Sequence, residues 1–378
     1  MSESNRFPPA AAPNKHESPV LNYGCSVWRR SSQIAANLYN QGCKLWTKND
    51  LQDIEQQIAQ SVYRKTFTVR AIDGSIISIE NLNFGEQQPI WKPYVKYQEY
   101  WQLVKMQPSG PPETYHCSYL VEWSNQSARA FRSIILNPNS VFEENRISWI
   151  QSQSCKLLES QLRGHLGAKK VTKIICCGLG DMCRQPPEWM KRHMASSTDE
   201  MDLSIVRPSM IQHLIALTMA QVFRTDNGNE VQLLAQDPDY TEETKEILEK
   251  NGFSIVGQSG AGGFAEIDDD SVVFSVFVEA PLKQIIADIA RPVVVISTEF
   301  EVFNDHELSY RPSYIFTPLT PHASRKPWID ADSPRTKQMW QEYHDFHFPI
   351  ASGDEELMSK LRNVHMYIRK AVKGACLD

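Results

Sequence analysis

The stretch Lys173–Met182, "KIICCGLGDM", decides the architecture. An apolar run without alternation meets two glycines one residue apart, the pattern of a strand buried on both faces that ends in a sharp turn. Such strands belong to parallel sheets covered by helices, so strand and helix should alternate along the chain. Downstream, Pro208–Phe223 sets Ile211, Leu214, Ile215, Thr218 and Val222 on one helical face, with Pro208 suited to the first turn. "VQLLAQD" then reads as a strand, "TEETKEILEKNG" as a helix capped by Thr241 and stopped at Gly252, and "FSIVG" as a strand. "SVVFSVFVEAP", the helix "LKQIIADIA" and the strand "RPVVVISTEF" complete the series. The expected fold is α/β and Rossmann-like, a mostly parallel sheet with helices on both faces.

Toward the N-terminus, "NDLQDIEQQIAQSVY" carries Leu51, Ile54, Ile58 and Val62 on one helical stripe, with Asn49 or Asp50 as N-cap. "TFTVRAIDGSIISIE" sets two alternating runs about Asp73-Gly74, a hairpin signal. "MQPSGPPET" (106–114) breaks regular structure and is the candidate linker, and a helix is expected from about Ile147 to Leu166. Beyond the sheet series an aromatic segment leads to Leu357, Leu361, Val364 and Ile368, whose spacing predicts a closing helix. The expected organisation is a disordered leader over 1–20, a helix-plus-hairpin accessory region over 21–110, the sheet domain over 111–325, and a helical extension over 326–378.

A chain of 378 residues that is 41% hydrophobic can bury a full core, which rules out disorder throughout. The net charge of −6 gives no field to attract nucleic acid, and no basic run is long enough to act as an arm. Eight scattered cysteines, none in a C-x-x-C pair, fit a reducing compartment better than a disulfide framework. The most apolar run, Ser271–Ala280, falls well short of the roughly 20 residues that span a bilayer. No secretory signal is read in the proline- and alanine-rich start, so the expected compartment is the cytoplasm, with the nucleus as an addition.

In an open parallel sheet, ligands bind beyond the carboxyl ends of the strands, and the first β-to-α turn uses glycine so that backbone N–H groups can approach an anion. Gly178 and Gly180 fit that turn, but Cys183 stands where a third glycine would complete the dinucleotide fingerprint, and Met182 breaks the methyltransferase-like spacing. Asp237 closes the next strand, where an acid can bind ribose hydroxyls, yet it follows the glycines at far more than the roughly 20 residues of the standard unit. The stretch 184–207 causes this, either as a lid or as a loop without a role. A purely structural reading of the turn and of Asp237-Pro238 stands beside the ligand reading. Asp181 counts against a bound pyrophosphate and is suited to capping. Glu279, Ser297, Thr298 and Glu299 end later strands on the same side, and an acidic rim with hydroxyls favours a cation-bearing or hydroxyl-rich ligand.

Other constellations have plainer readings. Cys176 and Cys177 point to opposite faces and are small core residues, and Cys183 lacks an identifiable activating cation. His344 and His347 form H-x-x-H without a nameable third ligand, so aromatic docking by Trp340, Tyr343 and His347 outweighs a metal. His213 is expected on a helix rim, solvated.

With these residues in view, Trp149–Phe300 resembles the Sensitivity-to-Red-light-Reduced (SRR-like) domain family, of fungal type in its extensions. The resemblance rests on "KIICCGLGDM", on Gln212 in the following helix, and on "QDPDYTEETKEILEKNGFSIV". The family tends to show His-Cys-Pro where this chain has Glu279-Ala280-Pro281, and Gly-Asn where it has Ser297-Thr298, so an activity relying on that His or Asn lacks its residue here. The resemblance implies a Rossmann-like sheet in an intracellular regulatory protein, among relatives linked to circadian and light responses and to control of haem synthesis. The expected role is regulation by sensing a small ligand, or binding a protein partner, with Gly178, Gly180, Gln212, Asp237, Glu279 and Thr298 as ligand candidates. The alternative is a small-molecule metabolic enzyme, methyltransferase-like or nucleotide-dependent, as in a fungal biosynthetic pathway. No catalytic residue, cofactor or metal is named.

Overall fold

The computed structural model describes residues 27–125, 132–166, 169–186, 199–227, 230–298 and 330–371, with backbone alone at 199–202 and 225–227. The expected leader, Glu299 and residues 187–198 of the 184–207 stretch lie outside them.

Five parallel strands form the centre: β5 (Lys173–Cys177), β6 (Gln232–Gln236), β7 (Phe253–Ile255), β8 (Ser271–Phe274) and β9 (Val294–Thr298). They belong to a seven-stranded sheet in the order β10-β11-β9-β8-β5-β6-β7. From β5 the chain winds first toward β6 and β7, then toward β8 and β9, so the strand order reverses between β5 and β8.

Because strand side chains alternate between faces, the sheet feeds two cores. Ile174, Cys176, Leu233, Val272, Phe274 and Ile296 pack on one face, against α4 (Pro138–Gln151), α5 (Gln153–Leu166), α6 (Asp199–Asn227) and α7 (Glu242–Lys250). Ile175, Cys177, Leu234, Val273 and Val295 pack on the other. There they meet α1 (Val27–Asn40), α2 (Lys48–Ala59), α3 (Tyr100–Lys105), the short α8 (Gly262–Ala265) and α9 (Leu282–Ile289). Two antiparallel pairs complete that side: β1 (Thr66–Arg70) with β2 (Ile76–Glu80), and β3 (Trp91–Tyr97) with β4 (Tyr119–Asn125). The segment 106–114 therefore joins α3 to a strand that returns to β3.

Four local expectations need correction. The helix expected over 147–166 is two helices, broken at Ser152, whose extended backbone lets its Oγ accept the Cys155 N–H; both halves bury the same face, so the apolar spacing runs through the break. The helix around Pro208 begins at Asp199, which puts the proline inside it rather than in its first turn. The N-cap of α2 is Thr47, with Asp50 completing a capping box.

The largest change concerns the C-terminus, where the closing helix is absent. After α10 (Pro334–Trp340) the chain forms β10 (Tyr343–His347) and β11 (Val364–Arg369), and β11 inserts antiparallel between β9 and β10. Val364 to Ile368 are all buried, because β11 has helices on both faces and strands on both sides; helical spacing cannot be told from a fully buried strand.

A candidate functional site at the carboxyl ends of the sheet

Gly178 and Gly180 both hold positive φ, +66° and +84°, and both are pressed by other segments. A Cβ at Gly178 would lie 2.5 Å from the Phe277 carbonyl oxygen, in the loop after β8; at Gly180 it would lie 2.6 Å from Ser209 Oγ on α6. The turn thus sits at the reversal between β5 and β8, with α6 packed over it.

The donor that an anion would use is engaged from within. Gly180 N–H donates to Asp237 Oδ2 at 2.8 Å, and Asp239 N–H donates to Asp237 Oδ1 at 2.9 Å. Burial is the main force raising the Asp237 pKa, to about 6; nearby Asp239 and Asp181 add to it, and the two amide bonds oppose it. Asp181 Oδ1 accepts from the N–H groups of Cys183 and Arg184, and its Oδ2 accepts from the N–H and hydroxyl of Thr241, so it staples the turn to the start of α7.

Two buried polar atoms on the neighbouring elements have no hydrogen-bond partner among the described residues. Gln212 is buried one helical turn beyond Ser209, and its Oε1 lacks a donor. Ser275, the first residue past β8, is buried with an unpaired Oγ. An orphaned polar atom of this kind costs about 1–3 kcal/mol, so each invites a ligand or water. Sequence reasoning names Gln212 but misses Ser275; the available signal is a hydroxyl that ends an apolar run.

Glu279 follows Val278, whose Cα would lie 3.1 Å from a Cβ at Gly178. It is exposed, and its charge, with that of Glu122, helps burial push the Tyr94 hydroxyl up to about 12, which points it toward the β3–β4 pair. Thr298 is buried at the end of β9, opposite Val364 on β11, and two strands from β5.

His213 corrects the expectation of a solvated rim. It is fully buried, with Nδ1 2.7 Å from the Ser209 carbonyl and Nε2 2.7 Å from Tyr240 Oη, and burial pushes its pKa down to about 4. Burial raises the Cys183 thiol to about 12, which removes nucleophilic character. His344 and His347 lie on a strand, where an i, i+3 pair faces opposite sides; His347 instead stands beside His365, whose Nδ1 is 2.6 Å from Asp345 Oδ1. Among the described residues no group of three or more His, Cys, Asp or Glu could hold a metal, and no helix is long and apolar enough to cross a membrane.

A mostly parallel seven-stranded sheet flanked by helices defines a mixed α/β domain. The SRR1 domain family model matches residues 155–354, more than half of the chain, and the chain belongs to that family. Neither a curated protein nor a solved structure matches it.

Proposed function

We propose that this chain is a regulatory protein whose Rossmann-like domain senses a small, polar ligand without a phosphate group at the β5–β8 reversal. Family membership supports the regulatory part of this reading. One observation carries the ligand class: Asp237 takes the Gly180 N–H at 2.8 Å, so the donor a phosphate would need already faces a carboxylate. The unpaired Gln212 Oε1 seeks a donor, and Ser275 Oγ can give or take a hydrogen bond, which suits hydroxyl or amine groups.

A thermal-shift screen tests this, with polyols and polyamines beside S-adenosylmethionine, nicotinamide and adenine nucleotides, and haem. A ligand at a hundred times its Kd adds about 2.7 kcal/mol of stability. A polyol or polyamine should raise the Tm, and Gln212→Leu or Ser275→Ala should abolish the rise. A shift confined to nucleotides that Asp237→Asn strengthens would reverse the assignment in favour of a nucleotide-dependent enzyme.

A further inference from the structure

The β1–β2 hairpin treats its two edges differently. Asn81 N–H donates to Lys65 O and Ala71 N–H to Ser75 O, which puts the ladder bonds on the odd-numbered pairs. The N–H and C=O groups of residues 66, 68 and 70, and of 76, 78 and 80, therefore point outward. On β1 the protein covers them. Gln57 Oε1 accepts the Thr68 N–H at 2.7 Å, Gln57 Nε2 donates to the Thr68 carbonyl at 2.9 Å, and Tyr119 Oη accepts the Arg70 N–H at 3.1 Å. On β2 the backbone groups of Ile76, Ser78 and Glu80 have no hydrogen-bond partner among the described residues.

Native proteins blunt an open edge with proline, lysine or a bulge, and "IISIE" has none of these. Ile76 is 61% exposed on this edge. Just past the end of β2 in the chain, an open groove is lined by Leu82, Asn83, Trp91, Glu122 and Trp123. Leu82 and Trp91 are 71% and 51% exposed, and the buried Trp123 indole N–H has no partner among the described residues. Glu80 is exposed and has no ion-pair partner among the described residues.

We propose that the β2 edge is a docking site for an extended segment of a partner protein, which adds a strand beside Ile76–Glu80 and lays an apolar side chain in the Leu82–Trp91–Trp123 groove. Unused ladder groups accept only a chain in extended conformation, and the apolar groove sets where a side chain must fall. The charge of Glu80 selects a segment with lysine or arginine among alternating apolar residues, since Glu122 at the groove is already paired with Lys96. This site is independent of the ligand site at the β5–β8 reversal, on different elements.

Panning a phage library of random dodecapeptides against the full chain and against Ser78→Pro tests the idea. The Ser78 N–H points outward, so proline removes a docking donor without touching the β1 ladder. Peptides that alternate apolar and basic residues should be enriched at least tenfold on the unaltered chain over the variant. A synthetic copy should slow hydrogen exchange at the Ile76, Ser78 and Glu80 amides. If Ser78→Pro lowers the Tm, Trp91→Ala, on the groove surface, replaces it and should weaken the enriched peptide at least fivefold. Equal enrichment on both proteins, or protection that spares these three amides, overturns the proposal. So does their protection in the free chain: with a dimer in sedimentation the occupant is a second copy, and with a monomer the chain covers its own edge.

Discussion

Asp237 shows how one residue can be found correctly and its task still be hidden. Its place at the end of β6 follows from the strand pattern, but the direction of its carboxylate depends on where the Gly180 amide comes to lie. Gly178 is the stricter position. Alanine there would need a positive φ and would set its methyl carbon 2.5 Å from a carbonyl oxygen, so Gly178→Ala should cost about 2 kcal/mol or more in denaturant unfolding. Glu99 offers a second test. It accepts the N–H groups of Trp101 and Gln102 and the Gln284 amide, and burial raises its pKa from 4.5 to about 7. A raised folded pKa gives stability that is complete below the unfolded value and is lost as pH rises through 7. Glu99→Gln should therefore remove about 2–3 kcal/mol of pH dependence between pH 4.5 and 8, read from urea midpoints at each pH.

At the scale of elements, β11 bears the heaviest consequence. It sits between β9 and β10, so ending the chain after Glu355 would expose the side of β9 and strip β10 of its partner. Such a truncation should lose cooperative unfolding in near-UV circular dichroism, whereas removal of a peripheral helix would leave the sheet intact. Gln57 acts as a substitute strand for β1, since its side-chain amide satisfies both backbone groups of Thr68. Gln57→Leu should cost about 1–3 kcal/mol, because it leaves a backbone donor and acceptor unpaired in the interior.

At the scale of the whole fold, buried acids dominate the response to pH among the described residues. Glu99 is raised to about 7, and Asp237 and Asp330 to about 6, all mainly by burial. Each loses its contribution as pH rises from about 4 toward its folded value. His213 works in the other direction: its pKa is lowered to about 4, so its contribution is lost as pH falls below 6.5. Three groups outweigh one, and urea unfolding should show stability falling between pH 4.5 and 7. His213→Gln should steepen that fall, and a stability maximum at or above pH 7 would contradict it.

The five parallel strands, the glycine turn and the cap and stop of α7 were legible in the residues alone, since each follows from local patterning and backbone stereochemistry. The C-terminal strand was not: Leu357, Leu361, Val364 and Ile368 fit a helical spacing, and only the open side of β9 made a strand of Val364–Arg369. Likewise His213 and Ser275 take their roles from neighbours distant in the chain, Tyr240 and the β5–β8 reversal. Sequence by itself determined which segments become strands and helices, because apolar period and glycine placement are local properties. Tertiary structure alone decided which polar groups find partners and which stay unpaired, because that depends on distances between segments that no local pattern encodes.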